Sequence, residues 1–498
     1  MKPHTQVTQN TAAFVSEPMI TPTGFREYDA RWKFPEQINL SGIQALGLGL
    51  ATQLHEMGLP PRIVVGQDYR AYSQSIKQAL IVGLMSGGIE VHDIGLALSP
   101  LAYFAQFELG ITAVAMVTAS HNPNGWTGVK IGAHPPLTHG PDEMERLKQI
   151  VLSGEGKLRA GGAYQPVEGL VPRYLKDLSR GFRLNRPLKV ICACGNGTAG
   201  AFAPQILADI GAQVIPLHTS LDYTFPHYNP NPESMQMLHD MAQAVRLHGA
   251  DLAVGFDGDG DRCGVVDNHG EEVFADEMGV ILARDWSHQH PGAQFVADIK
   301  STALFVTDPV LAQNGAKTDY WKTGHSHMKR RVKELGALAG FEKSGHYFLA
   351  EPIGRGYDDG LRVAVEICKL LDRGGNKTLS AFRAELSKSW ASPTMSPFCS
   401  DESKYGVSAR LTDMLQQMAA RGEKLAGQTI EQVITINGAR VMLQGGGWGL
   451  IRPSSNTPNL VVVCESPHSL DDMKAIFHGL DALIQTCPEV GDYDQRVD

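Results

Sequence analysis

The sequence predicts an α/β protein: three tandem α/β domains with mostly parallel, mixed sheets, followed by a smaller C-terminal α+β domain. A strand–helix–strand pattern occurs three times, from "RIVVGQD" to "IEVHDIG", from "LKVICACGNG" to "AQVIPLH", and from "AQFVADIK" to "AKTDYW". In each, an apolar, β-branched run is followed by a helical stretch closing on glycine and then a second strand, the βαβ unit of a parallel sheet. The units lie too far apart for a solenoid, and 498 residues exceed what one core supports. The C-terminal region reads differently. "VITINGARVML" is a hairpin with an Asn-Gly turn, "LVVVCE" a strand and "SLDDMKAIFHGLDALIQ" an amphipathic helix. The expected organisation is a loose, disordered arm over 1–20, α/β domains over 21–168, 169–271 and 272–390, and the α+β domain over 391–498. The Pro- and Ser-rich "SKSWASPTMSPF" marks the linker before the last.

Composition narrows the function. A hydrophobic content of 43% with 19% charged residues is that of a soluble globular protein. No apolar run is long enough for a membrane span, and no basic start followed by an apolar stretch suggests a secretory signal. Seven cysteines without a CxxC pair fit reduced thiols in a cytoplasm. A net charge of −9 argues against nucleic acid as a partner.

Five stretches carry chemistry. In "VAMVTASHNPNGWTGVKIG", Ser120 follows an apolar strand, where ligand loops of parallel sheets lie. His121 beside it does not make a hydrolase pair, since sequence neighbours rarely align as nucleophile and base and no G-x-S-x-G elbow surrounds the serine. In "CACGNGTAGAF", Gly195, Gly197 and Gly200 form a literal G-x-G-x-x-G. The following strand ends in His218 rather than in the acid a dinucleotide ribose needs, so a packing turn is the better reading.

"GFDGDGDRCGVVD" sets Asp257, Asp259 and Asp261 at alternate positions, so an extended segment would turn all three carboxylates one way. Two such charges ~4 Å apart repel by about 4 kcal/mol at a dielectric near ~20, so a cation belongs among them. An EF-hand loop fails, because its sixth and twelfth positions would be Arg262 and Asn268. A solvated acidic turn is disfavoured by the apolar strands on both sides. Three carboxylate oxygens with open positions suit Mg²⁺ completed by water or phosphate.

"FEKSGHYFLAEP" offers Glu342 and Ser344 to sugar hydroxyls and His346 as an acid–base group. "GWGLIRPSSNTPNL" places Arg452 before Ser454, Ser455 and Asn456, a planar cation plus hydroxyls that makes a phosphate cradle.

Together these stretches resemble the α-D-phosphohexomutases, in particular the bacterial phosphomannomutase/phosphoglucomutase type, from about Phe25 to the C-terminus. The resemblance implies four domains around a central cleft. It implies a phosphoserine at Ser120, with Mg²⁺ bound by Asp257, Asp259, Asp261 and that serine's phosphate, and Arg262 holding the same phosphate. Glu342 and Ser344 would bind sugar hydroxyls, and Arg452, Ser454, Ser455 and Asn456 the distal phosphate. "FREYDARW" adds Tyr28 and Arg31, "TASHNP" His121, "GWTGVK" Lys130, "ADIKST" Lys300 and "KTGHSHMK" His325. Lys130 and His346 would handle protons. The implied reaction interconverts hexose 1- and 6-phosphates of mannose or glucose through a hexose 1,6-bisphosphate, in a cytoplasmic monomer or weak dimer. Phosphoglucosamine mutase is the near alternative; a non-catalytic sugar-phosphate- and metal-binding protein and a dinucleotide-dependent oxidoreductase are the others. Trp32, Phe341 and Lys343 depart from common family patterns beside the sugar loops, which leaves the preferred hexose open; the choice is expected to be read at Glu342 and Ser344, with Lys343 modulating it.

Overall fold

The computed structural model describes residues 2–455 and 457–497. Three α/β domains follow one another. The first sheet orders its strands Ala30–Lys33, Trp126–Ala133, Ala113–Val117, Arg62–Gln67, Glu90–Leu96 and Ala163–Pro166. The second orders Glu272–Val273, Cys263–Val266, Leu252–Phe256, Lys189–Ala193 and Gln213–Leu217, and the third Lys317–Trp321, Gln294–Asp298, Ala339–Phe341 and Tyr347–Leu349. Both strands of each βαβ unit expected from the sequence pair in parallel.

Each sheet also contains an antiparallel step made through a short loop, and that is where the chemistry gathers. Ala113–Val117 is followed by its antiparallel neighbour Trp126–Ala133, Leu252–Phe256 by Cys263–Val266, and Ala339–Phe341 by Tyr347–Leu349. A parallel step needs a crossover helix, whereas an antiparallel step needs only a short loop. The three short loops hold Ser120, the three aspartates, and Glu342 with His346. A fourth loop, between antiparallel strands Trp448–Pro453 and Leu460–Ser466 of the last domain, follows Arg452.

One apolar core runs continuously through the first three domains, from Val64 through Phe104, Ile206 and Phe256 to Leu371. The fourth domain has its own core, built by its antiparallel sheet with helices Lys404–Ala420 and Leu470–Ile484. No helix among the described residues is long and apolar enough to cross a membrane, and all seven cysteines are free and buried.

Three local expectations change. The N-terminal arm is not loose: it carries helix Ala12–Ser16, bridges His4 to Met19, and is pinned by Asn39, whose side-chain amide donates to the Phe14 and Glu17 carbonyls. Much of the linker belongs to the fourth domain, since Trp390–Ala391 pairs with Glu465–Ser466 and Pro397–Cys399 with Val490–Tyr493. The hairpin at Asn437–Gly438 forms, but its strands part after Ile434 paired with Arg440. Ala439 pairs instead with Ile451 on the next strand, and Asn437 Oδ1 accepts from Arg452 Nε. The G-x-G-x-x-G stretch is a buried turn packed on Pro230 and Thr219.

Candidate active site

Ser120 takes a left-handed conformation, φ 50°, which a non-glycine residue adopts only where its surroundings enforce it. Two arginines do so. Arg70, paired with Asp68 at 3.2 Å, donates to the Ser120 and Asn122 carbonyls, both at 2.8 Å, and to Pro123 O at 3.1 Å. Arg31, paired with Asp29 at 2.8 Å, donates to the Ala119 carbonyl at 2.6 Å and to Asn122 Oδ1 at 2.9 Å. The turn so braced aims Ser120 Oγ at the acidic loop, where it donates to Asp257 Oδ2 at 2.9 Å. His121 Nδ1 lies 3.3 Å from the same hydroxyl. Burial, followed by the charges of Arg262 and Arg31, holds the His121 pKa well below its ordinary value, so the ring is neutral.

The acidic loop is a turn rather than an extended segment, closed by Gly260 N–H on the Asp257 carbonyl at 3.2 Å. At Gly258 any Cβ would collide with the Ser120 carbonyl, so glycine there lets the two loops meet. Asp257, Asp259 and Asp261 are completely buried, with ligand atoms within 4.8 Å of one another. Lys130, from the strand after the serine loop, places its ammonium 2.7 Å from Asp259 Oδ2 and bonds Asp261 Oδ2 as well. Burial opposes that charge, but Asp259 and Asp261 outweigh it and raise the Lys130 pKa well above its usual value. Burial likewise opposes the Asp259 charge, and Lys130 overcomes it, holding the carboxyl far below its usual range. Asp257 is pushed well up, by burial and then by its two acidic neighbours. One ammonium leaves three carboxylates short of positive charge, and Asp259 Oδ1 and Asp261 Oδ1 are buried without a hydrogen-bond partner among the described residues. Such oxygens suit a hard divalent cation.

Arg262 closes this wall. Its Nε donates to His346 Nε2 at 2.9 Å and its Nη1 pairs with Glu233 at 3.2 Å. His346 Nδ1 faces Asp358 Oδ2 at 2.9 Å, and Lys329 sits 2.7 Å from the other oxygen of that carboxylate. Opposite, Glu342 accepts from the Gly324 N–H, and burial raises its pKa. The Tyr28 ring meets His325 edge-on with centroids 4.8 Å apart, and His325 is kept neutral by burial and then by Lys329. Arg452 Nη2 donates to Ser455 Oγ at 3.2 Å, and the Ser454 and Thr457 hydroxyls lie 2.8 Å apart.

Tyr28, Arg31, Ser120, His121, Lys130, Arg262, Lys300, His325, Glu342, Ser344, His346, Arg452, Ser454 and Ser455 line one cavity of about 270 Å³. The three aspartates lie behind Ser120 and Lys130. Asn456 lies outside the described residues. Sequence reading missed Arg70, Glu233, Asp358 and Lys329, and Thr394 and Ser396, which also line the cavity. The one available signal was "QDYR" immediately after a parallel strand, where site loops collect.

The family models for phosphoglucomutase/phosphomannomutase alpha/beta/alpha domains I, II and III match residues 22–157, 172–270 and 274–389. A phosphomannomutase/phosphoglucomutase of Pseudomonas putida is 34% identical over 458 residues, covering 91% of this chain and 94% of its own. This chain belongs to the phosphoglucomutase/phosphomannomutase family. A phosphoglucomutase of Neisseria meningitidis is 31% identical over 444 residues, covering 89% of this chain and 92% of its own. The crystal structure of a phosphoglucomutase/phosphomannomutase family protein from Burkholderia thailandensis superposes with a TM-score of 0.84 at 27% identity, over 94% of this chain and 98% of that one.

The three residues that depart from common family patterns all point away from the cavity, among them Lys343, the residue expected to modulate the sugar choice. Phe341 is a core residue, stacked on Phe305 with centroids 5.0 Å apart. Lys343 pairs with Asp276 at 3.2 Å over the Phe274 ring. Trp32 is buried against Phe25 and donates to the Thr21 carbonyl. Phe341 ends its strand with its side chain in the core, and Lys343 sits in the turn closed by the Gly345 N–H on the Glu342 carbonyl, its ammonium on Asp276 while Glu342 and Ser344 line the cavity.

Proposed function

We propose that this phosphohexomutase carries the transferred phosphoryl group on Ser120 and interconverts the 1- and 6-phosphates of mannose or glucose through a hexose 1,6-bisphosphate. The observation that supports this most is the Ser120 hydroxyl. It is held left-handed between two braced arginines, touches a buried carboxylate, and opens on a cavity with cationic groups at both ends. Arg31, Lys130 and Arg262 surround the serine, and Lys300 and Arg452 lie with the sugar and fourth-domain loops.

A sugar hydroxyl attacks the phosphorus on Ser120, the serine P–O bond breaks, and the bisphosphate forms. After the sugar turns over, its other phosphate returns to Ser120. In the first transfer the proton of the attacking hydroxyl ends on Ser120 Oγ. Lys130, kept protonated by Asp259 and Asp261, is the group assigned to hand it over. His346, whose Nε2 is taken by Arg262, steadies that guanidinium on the phosphate. Glu342 and Ser344 bind sugar hydroxyls, and Arg452 with Ser454 and Ser455 grips the phosphate that is not reacting. Asp257, Asp259 and Asp261 would hold Mg²⁺, which when bound would supply charge neutralisation for the transferring phosphoryl group.

Peptide mass analysis of the purified protein tests the reading, together with conversion of glucose 1-phosphate and mannose 1-phosphate. Phosphate at Ser120, lost with nearly all turnover in Ser120→Ala, is expected. Full activity in Ser120→Ala would overturn the mechanism.

A further inference from the structure

The fourth domain docks on the third through one face of its sheet. Trp448 and Leu450 on one strand, with Val461 and Val463 on the next, pack against Ile299 and Ala303. Strand alternation puts Arg452 and Glu465 on that same face. Beside this apolar contact Arg440 is completely buried, its guanidinium between the rings of Tyr320 at 4.3 Å and Trp448 at 3.7 Å. Its Nη1 donates to the carbonyls of Ile299 and Ser301, both at 2.8 Å, which are the two residues flanking Lys300. Glu465 holds the next two: it accepts from Thr302 Oγ1 at 2.7 Å and from the Ala303 N–H at 3.1 Å. Trp448 Nε1 donates to the same carboxylate at 2.7 Å, locking the clamp to the strand that carries Arg452.

We propose that Arg440 and Glu465 are positioning residues for Lys300: the docked fourth domain holds segment 299–303 in the shape that turns the Lys300 ammonium into the cavity. The proposal rests on reading Lys300 and Arg452 as contacts to substrate phosphate. The physical reason is that fixing the carbonyls on both sides of one residue fixes its backbone dihedrals, and these set where a long side chain can reach. Because Trp448 and Arg452 share a strand, docking engages Lys300 and Arg452 together, and undocking releases both. Without the docked domain the Ile299 and Ser301 carbonyls, the Thr302 hydroxyl and the Ala303 N–H exchange fixed partners for mobile water, so segment 299–303 keeps its bonds to Asp298, Trp321 and Asp276 but gains freedom at Lys300.

The test is a double-mutant cycle between Glu465→Gln and Lys300→Ala with glucose 1-phosphate as the probe. It is read alongside amide hydrogen exchange at Ala303, which needs no turnover. Lys300→Ala is expected to raise KM about 10-fold or more with kcat changed less, as loss of a contact made equally in ground and transition states does. Glu465→Gln is expected to speed Ala303 exchange and raise KM by a smaller factor. In the Lys300→Ala background its effect on KM should shrink well below its effect in the wild type, since only what it does through Arg452 remains. An effect of Glu465→Gln that multiplies fully with that of Lys300→Ala overturns the clamp while leaving Lys300 as a substrate contact. So does faster Ala303 exchange with unchanged KM. A Lys300→Ala enzyme with unchanged KM overturns the underlying reading, and the clamp with it. Should Glu465→Gln fail to fold, Thr302→Val removes one bond of the same clamp and completes the cycle.

Discussion

Arg262 Nε donates to His346 Nε2 at 2.9 Å, which takes up the ring nitrogen that an acid–base histidine would turn toward a substrate. The ring is held from behind by Asp358, and Asp358 by Lys329, so four buried side chains run from the third domain to the wall beside Ser120. The chain orients a guanidinium, and its consequences can be measured.

His346→Gln keeps an acceptor that can reach Arg262 Nε, whereas His346→Leu leaves that nitrogen without one and the guanidinium with Glu233 alone among the described residues. If the histidine steadies Arg262, the glutamine variant retains part of kcat/KM and the leucine variant loses about 10- to 150-fold, the worth of one charge-assisted hydrogen bond. Steady-state rates on one hexose 1-phosphate decide. Equal, near-total losses in both variants would return His346 to proton transfer.

Asp259 is the carboxylate that Lys130 and Ser99 both touch. Asp259→Asn keeps the shape and removes a charge, so kcat should fall by a factor of about 100 or more while the fold survives. In the wild type, excess chelator should stop turnover and Mg²⁺ restore it. Turnover undiminished after full metal removal would show that Lys130 alone balances the aspartates.

Arg452→Ala removes the fork that reaches Asn437 and Ser455. A drop of about 10- to 150-fold in kcat/KM is expected, with Arg452→Lys recovering only part because it lacks the planar geometry. The phosphate on Ser120, followed by intact mass, should be unaffected. Its loss in Arg452→Ala would place the arginine at the wrong end of the cavity.

His139 is buried, 3.1 Å from Gln53 Oε1, and burial lowers its pKa from 6.5 to about 4. Below pH 6.5 the unfolded chain binds a proton there that the folded chain refuses, so stability falls as the pH drops from 6.5 toward 4 and levels off below that. At about 1.4 kcal/mol per pH unit, this one ring accounts for roughly 3 kcal/mol of acid destabilisation. Urea midpoints between pH 7 and pH 4 should decline less steeply in His139→Gln than in the wild type. Parallel declines would assign the acid sensitivity to other groups.

By itself the sequence determined the elements and the chemistry they carry, because both are written locally. Apolar runs closing on glycine located the βαβ units, and the aspartates, the arginine-hydroxyl turn and the Ser-His-Asn-Pro loop announced an ionic, phosphate-bearing site. Sequence spacing could not decide which groups face each other. Lys130 bonds two aspartates from another domain, and Arg70 and Asp358 join the site from segments with no motif. The Asn437 side chain is taken by Arg452 of a neighbouring strand. Phe341 and Lys343 stand next to cavity residues in sequence and on the opposite face in space. Those outcomes come from packing across domains: a buried charge takes whatever partner the docked surfaces bring near, since leaving it alone costs several kcal/mol. Periodicity along one strand contains no information about that partner, and only the meeting of four antiparallel loops supplies it.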